Sequence, residues 1–352
     1  MTTPWRIVHL LGTRNGVWGG MERHVAELAA AQQAAGHELH LIADPSLQRH
    51  FPQLMFWELP MGASRYNPRL WLHLRRHLRA IQPDIAHAHG NKAARILSLQ
   101  PKALTGATLG TLHGIKSSDA DFRRLHSLIT VSTASHQRAN HLHKTLIHHG
   151  LPLTQADDGP ANLALPTGDW QRPWILAIGR LEPVKGFDRL LEAWAEVTAP
   201  GHLVILGDGS QRHALEQRSQ QPDLAGRVTL AGYQATPRAW LRQADLCVIS
   251  SLREGFCYVL AEALLEGCPV VATPTGIATE ILPSTALAAD ASVESLKQLL
   301  STQLPRLESL KQDQAEARAY AGQTLTLEAM VQHTSDCYQA TRARVNQHDR
   351  PH

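Results

Sequence analysis

Short apolar runs that alternate with helical stretches constrain the fold of this chain more than any other feature of its sequence. Residues 6–11 form an apolar run, a glycine-bearing loop follows at 12–20, and residues 21–35 have the pattern of a helix. Further apolar runs of strand length follow at 39–43, 84–88, 108–112 and 127–131. Strands that alternate with helices predict a parallel sheet covered by helices on both faces.

The same alternation begins again in the second half, with apolar runs at 174–178, 203–206, 228–231, 246–249 and 270–272. Between the halves, residues 156–173 are rich in Pro, Gly and Asp and lack periodicity, which is typical of a linker. At 352 residues the chain is long enough for two cores. We therefore predict an α/β protein with a Rossmann-like domain at 1–160, a linker at 161–172, a second such domain at 173–322 and a final helical segment at 323–352.

Composition adds expectations about compartment and partners. The sequence contains neither an apolar run of about 18 residues nor a cleavable leader pattern at its start, so we expect a cytoplasmic protein. Its four cysteines have no C-x-x-C spacing and indicate neither a disulfide framework nor a zinc site. Residues 1–166 hold 17 Lys and Arg against 10 Asp and Glu, and 16 of the 21 histidines. This basic half predicts an acidic partner, either an anionic inner membrane surface or a phosphorylated acceptor, and we expect no nucleic acid.

A basic amphipathic helix is predicted at residues 69–79, where arginines and histidines lie opposite Leu and Trp. Two interpretations stay open. The helix either packs on the core with a solvated basic face, or it contacts a membrane.

Two acids separated by seven residues carry the clearest chemical signal. Glu254 lies in a loop after the apolar run 246–249, and Glu262 lies on the helix predicted at 258–265. The backbone N–H groups that open this helix have no internal partners and lie at the positive end of its dipole, which favours a bound anion. A phosphate beside two carboxylates suits a sugar nucleotide, and the candidate donor-binding residues here are Gly255, Phe256, Cys257, Tyr258 and Glu262.

This stretch resembles the retaining glycosyltransferases of the GT-B fold called family 4, or group 1. The resemblance rests on E-x7-E, on the run EGCPVVAT at 266–273, and on Gly276 and Glu280. It implies two Rossmann-like domains facing each other across a cleft, with the donor on the second and the acceptor on the first. It also implies that Glu262 binds the donor ribose and Glu254 the transferred sugar, whereas we interpret Glu266 as a helix-end acid.

Two residues depart from the family pattern. Cys257 stands where a glycine is common, and Ile277 replaces the second glycine of a G-G pair. These differences indicate either an altered donor pocket or a slightly different loop path.

A loop with two cations opens the second domain. Arg180 and Lys185 follow the run 174–178 in a GR-x4-KG pattern, which resembles the donor-diphosphate loop of the family. Because a leaving nucleoside diphosphate gains negative charge as the glycosidic bond breaks, these cations would stabilise the transition state. The catalytic candidates are therefore Arg180, Lys185, Glu254 and His113, the last of which resembles the family histidine that touches the transferred sugar.

Several loops supply weaker candidates. Gly207 and Gly209 form a G-D-G turn, and Tyr233 is a candidate for the base-binding region. Gly19 and Gly20 open the first helix, where free N–H groups suit a phosphate. His87 and His89 end a strand and are candidates for lining the acceptor cleft; we expect that their imidazoles need not converge, so no metal site is predicted.

Asp119 and Asp121 spell the D-x-D motif that other glycosyltransferases use to hold a metal ion. They lie away from the donor motifs, and we interpret them as solvated acids. Transfer is accordingly predicted to be metal-independent, without a cofactor.

The resulting prediction is a retaining transferase that moves a hexose or N-acetylhexosamine from a nucleotide sugar, preferably a UDP-sugar, to a glycan or glycolipid acceptor of the cell envelope, such as lipopolysaccharide core. Three alternatives stay open. Asp44 ends a strand after a glycine loop, as the ribose-binding acid of an NAD-dependent dehydrogenase would. A sugar-nucleotide epimerase or an inactive glycan-binding protein would also suit this fold.

Overall fold

The computed structural model describes residues 4–14, 16, 18–114, 119–153 and 170–348. Its strands are β1 Arg6–Leu11, β2 Glu38–Ala43, β3 Met55–Glu58, β4 Ile85–His89, β5 Ala107–Leu112, β6 Ser127–Thr130, β7 Lys144–Leu146, β8 Trp174–Ile178, β9 His202–Leu206, β10 Val228–Gly232, β11 Leu246–Ile249 and β12 Val270–Ala272. Its α-helices are α1 Gly20–Ala34, α2 Pro68–Ile81, α3 Asn91–Leu97, α4 Thr133–Arg138, α5 Phe187–Glu196, α6 Arg212–Ser219, α7 Pro237–Leu241, α8 Tyr258–Leu265, α9 Ala278–Ile281, α10 Val293–Gln303, α11 Leu307–Asp313, α12 Ala315–Thr324 and α13 Leu327–His348.

The chain divides into two compact units. The first comprises Met1–Gly150 together with Thr326–His352, and the second comprises Leu151–Leu325. The last helix, α13, therefore belongs with the amino-terminal strands. Its Tyr338 hydroxyl lies 2.7 Å from His87 Nδ1 on β4, and Arg342 pairs with Asp84.

The first unit is built on a parallel sheet in the order β3-β2-β1-β4-β5-β6-β7. Successive residues of β1 point to opposite faces, and each face has its own core. Val8 and Leu10 pack with the leucines of α2, whereas Ile7 packs with Leu28 of α1 and Tyr338 of α13. The helices therefore cover both faces of the sheet, as predicted for an α/β fold.

The second unit has a shorter parallel sheet in the order β10-β9-β8-β11-β12. In both units the first strand is the third in this order. The strands that come next in the sequence lie on one side of it, and the later strands lie on the other side. This switch lies between β1 and β4 in the first unit and between β8 and β11 in the second. Loops that leave two such neighbouring strands at their carboxyl ends form the usual ligand crevice of an open α/β sheet.

Two strands lacked a clear sequence signal. Strand β3 has the sequence MFWE and is only partly buried, and β7 has three residues of which two are polar. Both are edge strands of the first sheet, and they do not show the buried apolar pattern of a central strand. Residues 154–169, which include most of the predicted linker, lie outside the described residues.

Candidate functional site

Two loops of the second unit meet at the carboxyl edge of its sheet. One follows β8 and carries Arg180 and Lys185, and the other follows β11 and carries Glu254. Backbone hydrogen bonds join them, because Leu252 N–H donates to Val184 O at 2.8 Å and Ser250 Oγ donates to Lys185 O at 2.9 Å. The cations and acids that are far apart in sequence therefore come together because β8 and β11 are adjacent strands.

The central contact of this site is an ion pair between Lys185 and Glu254. Lys185 Nζ lies 2.6 Å from Glu254 Oε1, and Ser251 Oγ donates to the same carboxylate oxygen at 2.7 Å. The side chains are 20% and 13% exposed, so the pair is partly shielded from water and its interaction is stronger than that of a surface pair. Ser251 was not predicted; its position three residues before Glu254, at the end of the strand, is the only sequence signal for it.

Two glycines allow these loops to approach one another. Gly186 has φ +65°, and a Cβ there would lie 2.3 Å from Ser250 O. Gly276 has φ +58°, and a Cβ there would lie 2.5 Å from Phe256 O and 2.9 Å from Glu254 Cβ. Any side chain at Gly276 would therefore push against the loop that holds Glu254.

Cys257 adopts the backbone conformation for which a glycine is usual. Its φ is +88°, a left-handed value, and it precedes α8 as the N-cap. Burial, and after it the charge of Glu254, raise the pKa of the Cys257 thiol to about 12, with an opposing contribution from Lys185 and a further raising contribution from Glu262. Glu254, Lys185 and Glu262 are therefore all within electrostatic range of one buried sulfur, and Glu262 itself is only 3% exposed.

The replacement of the second glycine leaves the backbone ordinary. Ile277 is fully buried, has φ −86°, and its N–H donates to Phe256 O at 3.1 Å. Because any residue adopts this conformation, Gly276 is the one glycine of the family's pair that the geometry requires here. Phe256 is buried and Tyr258 begins α8, with their rings 5.4 Å apart.

The G-D-G turn packs directly against the loop that follows β8. A Cβ at Gly207 would lie 1.9 Å from Gly179 O, and one at Gly209 would lie 2.6 Å from Leu181 O. Arg180 is exposed on the loop that follows β8. Hydrogen bonds from Ser210 lower the pKa of the nearby Glu182 carboxylate, and the charge of Arg180 lowers it further to a smaller extent.

Tyr233 follows β10 and is 77% exposed. Its ring is therefore available to a ligand but is not positioned by packing.

Two sets of acids differ from their sequence-based interpretation. Glu266 is not a plain helix-end acid, because its side chain is 8% exposed and pairs with Arg238 and Arg242. Asp119 and Asp121 are not simply solvated: they pair with Arg123 at 3.4 Å and Arg65 at 2.6 Å, and their side chains are mostly buried. These ion pairs lie within the acids' own units, a structural role that the sequence pattern did not reveal.

The amino end of α1 carries a buried acid close to the two predicted glycines. Gly19 is the extended N-cap and Gly20 the first helical residue. Glu22 is 4% exposed, accepts a hydrogen bond from Thr13 Oγ1, and would lie 3.3 Å from a Cβ at Gly19. An acid near a helix N-terminus is favourable, and it places negative charge where a phosphate was expected.

His113 follows β5 and lines a cavity of about 760 Å³ in the first unit. Cationic groups from Arg14, Arg65 and Lys92 line the same cavity. Burial, and next the charge of Arg14, lower the pKa of Lys92, whose ammonium group donates to the carbonyl oxygens of Met61 and Ala63. This cavity combines a histidine with an excess of positive charge.

His87 and His89 do converge, and both are fully buried, so they line no open cleft. Their ring centroids are 4.2 Å apart, because residues two apart on a strand point to the same face. Around them lie His9, His24, His113 and His149, joined by ring-nitrogen contacts of 2.7–3.3 Å. We expected that these two imidazoles need not converge, whereas the structure brings them together. The i, i+2 spacing of the two histidines on β4 was the sequence signal for this contact.

Both units match models of known protein families. The model described as Glycosyltransferase Family 4 matches residues 18–150, and that described as Glycosyl transferases group 1 matches residues 172–304. The chain belongs to glycosyltransferase family 4. The region of the second match in this family 4 chain contains the Lys185–Glu254 pair, and that of the first contains His113.

Curated relatives of this family 4 chain include two enzymes of Rhizobium meliloti (strain 1021). It is 38% identical over 102 residues to the lipopolysaccharide core biosynthesis glycosyltransferase LpsE, a match spanning 29% of each chain. It is 26% identical over 275 residues to the lipopolysaccharide core biosynthesis glycosyltransferase LpsD, spanning 73% of this chain and 76% of the relative.

Solved structures resemble almost the whole chain. Anabaena Alr3699/HepE in complex with UDP and glucose superposes with a TM-score of 0.77 at 20% identity, covering 95% of this chain and 99% of that one. WaaG, a glycosyltransferase involved in lipopolysaccharide biosynthesis, gives a TM-score of 0.68 at 16% identity, covering 94% and 98%. The fold is therefore GT-B. Across the described residues, the helices lack a stretch apolar and long enough to span a bilayer.

Proposed function

We propose that this chain is a retaining glycosyltransferase that moves a hexose or N-acetylhexosamine from a nucleoside-diphosphate sugar, preferably a UDP-sugar, to a cell-envelope glycan acceptor such as lipopolysaccharide core. The observation that carries the proposal is the Lys185–Glu254 pair at the carboxyl edge of the second sheet, beside the start of α8. The similar HepE structure is a complex with UDP and glucose, and the relatives LpsE and LpsD are glycosyltransferases of lipopolysaccharide core biosynthesis.

In this mechanism Lys185 and Arg180 stabilise the leaving diphosphate. As the bond between the anomeric carbon and the phosphate oxygen breaks, that oxygen gains negative charge, which an ammonium group in a shielded site stabilises strongly. The same oxygen accepts the proton of the acceptor hydroxyl, which attacks the anomeric carbon from the face that the diphosphate leaves. Glu254 binds the transferred sugar and Glu262 the ribose.

The cations also replace a metal ion in this proposal, so transfer requires neither a divalent ion on the diphosphate nor a cofactor. Asp119 and Asp121, which spell the metal-binding motif, are paired with Arg123 and Arg65. Their carboxylates are therefore already neutralised by fixed charges.

The cavity of the first unit suits an anionic acceptor. Its positive lining from Arg14, Arg65 and Lys92 outweighs the charge of Asp121. We accordingly propose a glycan or glycolipid that carries phosphate, recognised through these side chains, with His113 beside its reacting end.

Helix α2 suits peripheral contact with an anionic membrane surface. Its Leu70, Leu74 and Leu78 are buried, while Arg76 and Arg79 are exposed and Leu72 is 56% exposed. The helix contains no acidic residue. Sedimentation with anionic vesicles at low salt, and its loss with neutral vesicles, tests this contact; equal sedimentation with both would contradict it.

The dehydrogenase alternative loses its main support in the structure. Asp44 Oδ1 accepts hydrogen bonds from Ser46 N–H at 3.2 Å and Ser46 Oγ at 2.6 Å, and so caps the turn that follows β2. The Asp44 carboxylate, which suggested a ribose contact, is therefore hydrogen-bonded within its own turn.

Thermal-shift screening of the whole chain with nucleotide sugars, followed by product analysis, tests the proposed function. A donor that binds raises the melting temperature, and transfer should yield a product with the donor's anomeric configuration. Glu254→Gln should lose this response while Glu294→Gln, an exposed acid on α10, should retain it. A product with inverted configuration, a free epimerised sugar nucleotide, or no turnover across the donor panel would overturn the proposal.

A further inference from the structure

The interior of the first unit contains a connected group of imidazoles, of which only His113 has a place in the proposed reaction. His9 Nε2 lies 2.8 Å from Gln32 Oε1, and His9 Nδ1 lies 2.9 Å from His89 Nε2. His89 Nδ1 lies 3.0 Å from His113 Nε2, and His149 bridges His113 at 3.3 Å and His24 at 2.7 Å. These side chains lie on the sheet face covered by α1 and α13, next to Tyr338.

Two trios of this group bring ring nitrogens within 4.8 Å of one another: His9, His87 and His89, and His24, His89 and His113. In the first trio His87 is fully engaged, by the Tyr338 hydroxyl and the Thr111 hydroxyl at 2.7 Å each. In the second, His24 Nε2 is buried and has no hydrogen-bond partner among the described residues. A buried lone pair without a partner is costly, so this second trio is the one that a ligand would complete.

We propose that His24, His89 and His113 bind one divalent transition-metal ion of the Zn²⁺ class. Neutral imidazoles are preferred ligands of Zn²⁺, Co²⁺ and Ni²⁺, and three of them with a water molecule make a known type of tetrahedral site. At Zn–N distances of 2.0–2.1 Å, two tetrahedral ligand atoms lie about 3.3 Å apart. The His89–His113 contact, at 3.0 Å, is already close to this value, and ring nitrogens of all three residues lie within 4.8 Å of one another.

The hydrogen-bond partners of His89 favour the tautomer that metal coordination through Nδ1 requires. When Nδ1 of His89 coordinates, its proton is on Nε2 and is donated to His9 Nδ1, while His9 Nε2–H is donated to the Gln32 amide oxygen. Such a second shell fixes the tautomer of a ligating histidine. The cavity lined by His113 supplies the route of entry.

The proton positions that metal binding requires are incompatible with one hydrogen bond of the group, the one between His113 and His149. His24 can coordinate through Nε2 only with its proton on Nδ1, where it is donated to His149 Nδ1. His149 then carries its proton on Nε2, facing the Nδ1 proton that His113 carries when its Nε2 coordinates. The His113–His149 contact, at 3.3 Å the longest of the series, is therefore replaced on binding, and His149 is a neighbour of the metal rather than a ligand.

This distinction provides a matched pair of variants. His24→Phe and His149→Phe each replace one buried imidazole of the group by an apolar ring of similar size. Tag-free whole chain is freed of metal with a chelator and titrated with Co²⁺, followed by visible d–d absorption, and with Zn²⁺ in competition with a chelator of known affinity. We expect one equivalent to bind with a tetrahedral Co²⁺ spectrum, an affinity at least about 100-fold lower in His24→Phe, and no more than a few-fold change in His149→Phe.

Controls separate this site from the other histidines of the chain and from misfolding. His213→Gln and His333→Gln, both exposed, should leave the titration unchanged, and the melting temperature of the metal-free variants shows whether each is folded. The measurement on the unmodified chain decides the case if His24→Phe fails to fold. Binding below one equivalent, an octahedral Co²⁺ spectrum, or equal losses in His24→Phe and His149→Phe would overturn the proposal.

Discussion

The two units of this chain use polar groups in opposite ways on the same kind of sheet. At the carboxyl edge of the second sheet, charges of opposite sign from two loops form the Lys185–Glu254 pair. Inside the first unit the polar groups are imidazoles that lie within hydrogen-bonding distance of one another. The first arrangement suits stabilisation of charge that develops during a reaction. The second offers ring-nitrogen lone pairs that suit coordination of a metal ion. Each can be tested by removing its central group.

The largest expected effect is on catalysis in the second unit. Lys185→Ala should lower kcat by about 100-fold to 1,000-fold, with a much smaller change in donor affinity, because the ammonium group acts mainly on charge that appears in the transition state. Steady-state kinetics with the donor found by screening checks this. Lys297→Ala, a partly exposed lysine of the same unit that pairs with Glu196, is the control, and equal losses in kcat and in donor affinity would refute a transition-state role.

A backbone change should disturb the same site almost as strongly. Gly276→Ala places a Cβ 2.5 Å from Phe256 O at a φ of +58°, so the loop that holds Glu254 must move. We expect at least about 2 kcal/mol lower stability and a clear loss of donor binding. Gly322→Ala, where a Cβ meets open space, should change neither. Denaturant unfolding and thermal shift with the donor measure the two effects, and an unaffected donor response would show that the loop tolerates the displacement.

Acid should destabilise the chain through the buried imidazoles of the first unit. Burial lowers the pKa of His9 from 6.5 to about 4, so below pH 6.5 the unfolded chain takes up a proton that the folded chain accepts only near pH 4. Stability is therefore full above pH 6.5 and falls as the pH drops toward 4, by about 3 kcal/mol from His9 alone.

Unfolding of metal-free protein as a function of pH measures this slope. His9→Gln should flatten it, while His213→Gln, an exposed histidine of the second unit, should leave it unchanged. An identical slope in His9→Gln would show that His9 does not carry the acid sensitivity.

The smallest expected effect concerns the strained residue before α8. Cys257 has φ +88°, which costs a residue with a side chain roughly 1 kcal/mol relative to glycine. Cys257→Gly should therefore be about 1 kcal/mol more stable than Cys257→Ala, the reverse of the order in a helix interior. Chemical denaturation of the two variants side by side checks this, and a more stable Ala variant would mean that the backbone relaxes.

Most of the fold and of the charged site could be predicted because their signals are local. The buried strands are continuous apolar runs, and helix α8 was predicted with the bounds that the structure has, Tyr258–Leu265. Strands β3 and β7 were missed because edge strands need not be apolar on both faces. The pairing of Glu266 with Arg238 and of Asp121 with Arg65 was missed because these partners are distant in sequence.

The amino-acid sequence by itself determined the α/β class, the family and the identity of the charged residues on the loops after β8 and β11, because strand and helix periodicity and loop motifs are encoded within a few neighbouring residues. Only the tertiary structure decided which side chains meet. Parallel pairing of β8 with β11 brings Lys185 to Glu254, and pairing of β1 with β4 sets His9 beside His87 in register. Contacts of this kind depend on strand order and on the direction in which each residue faces, and these are set by the packing of the whole sheet with its helices rather than by any single segment.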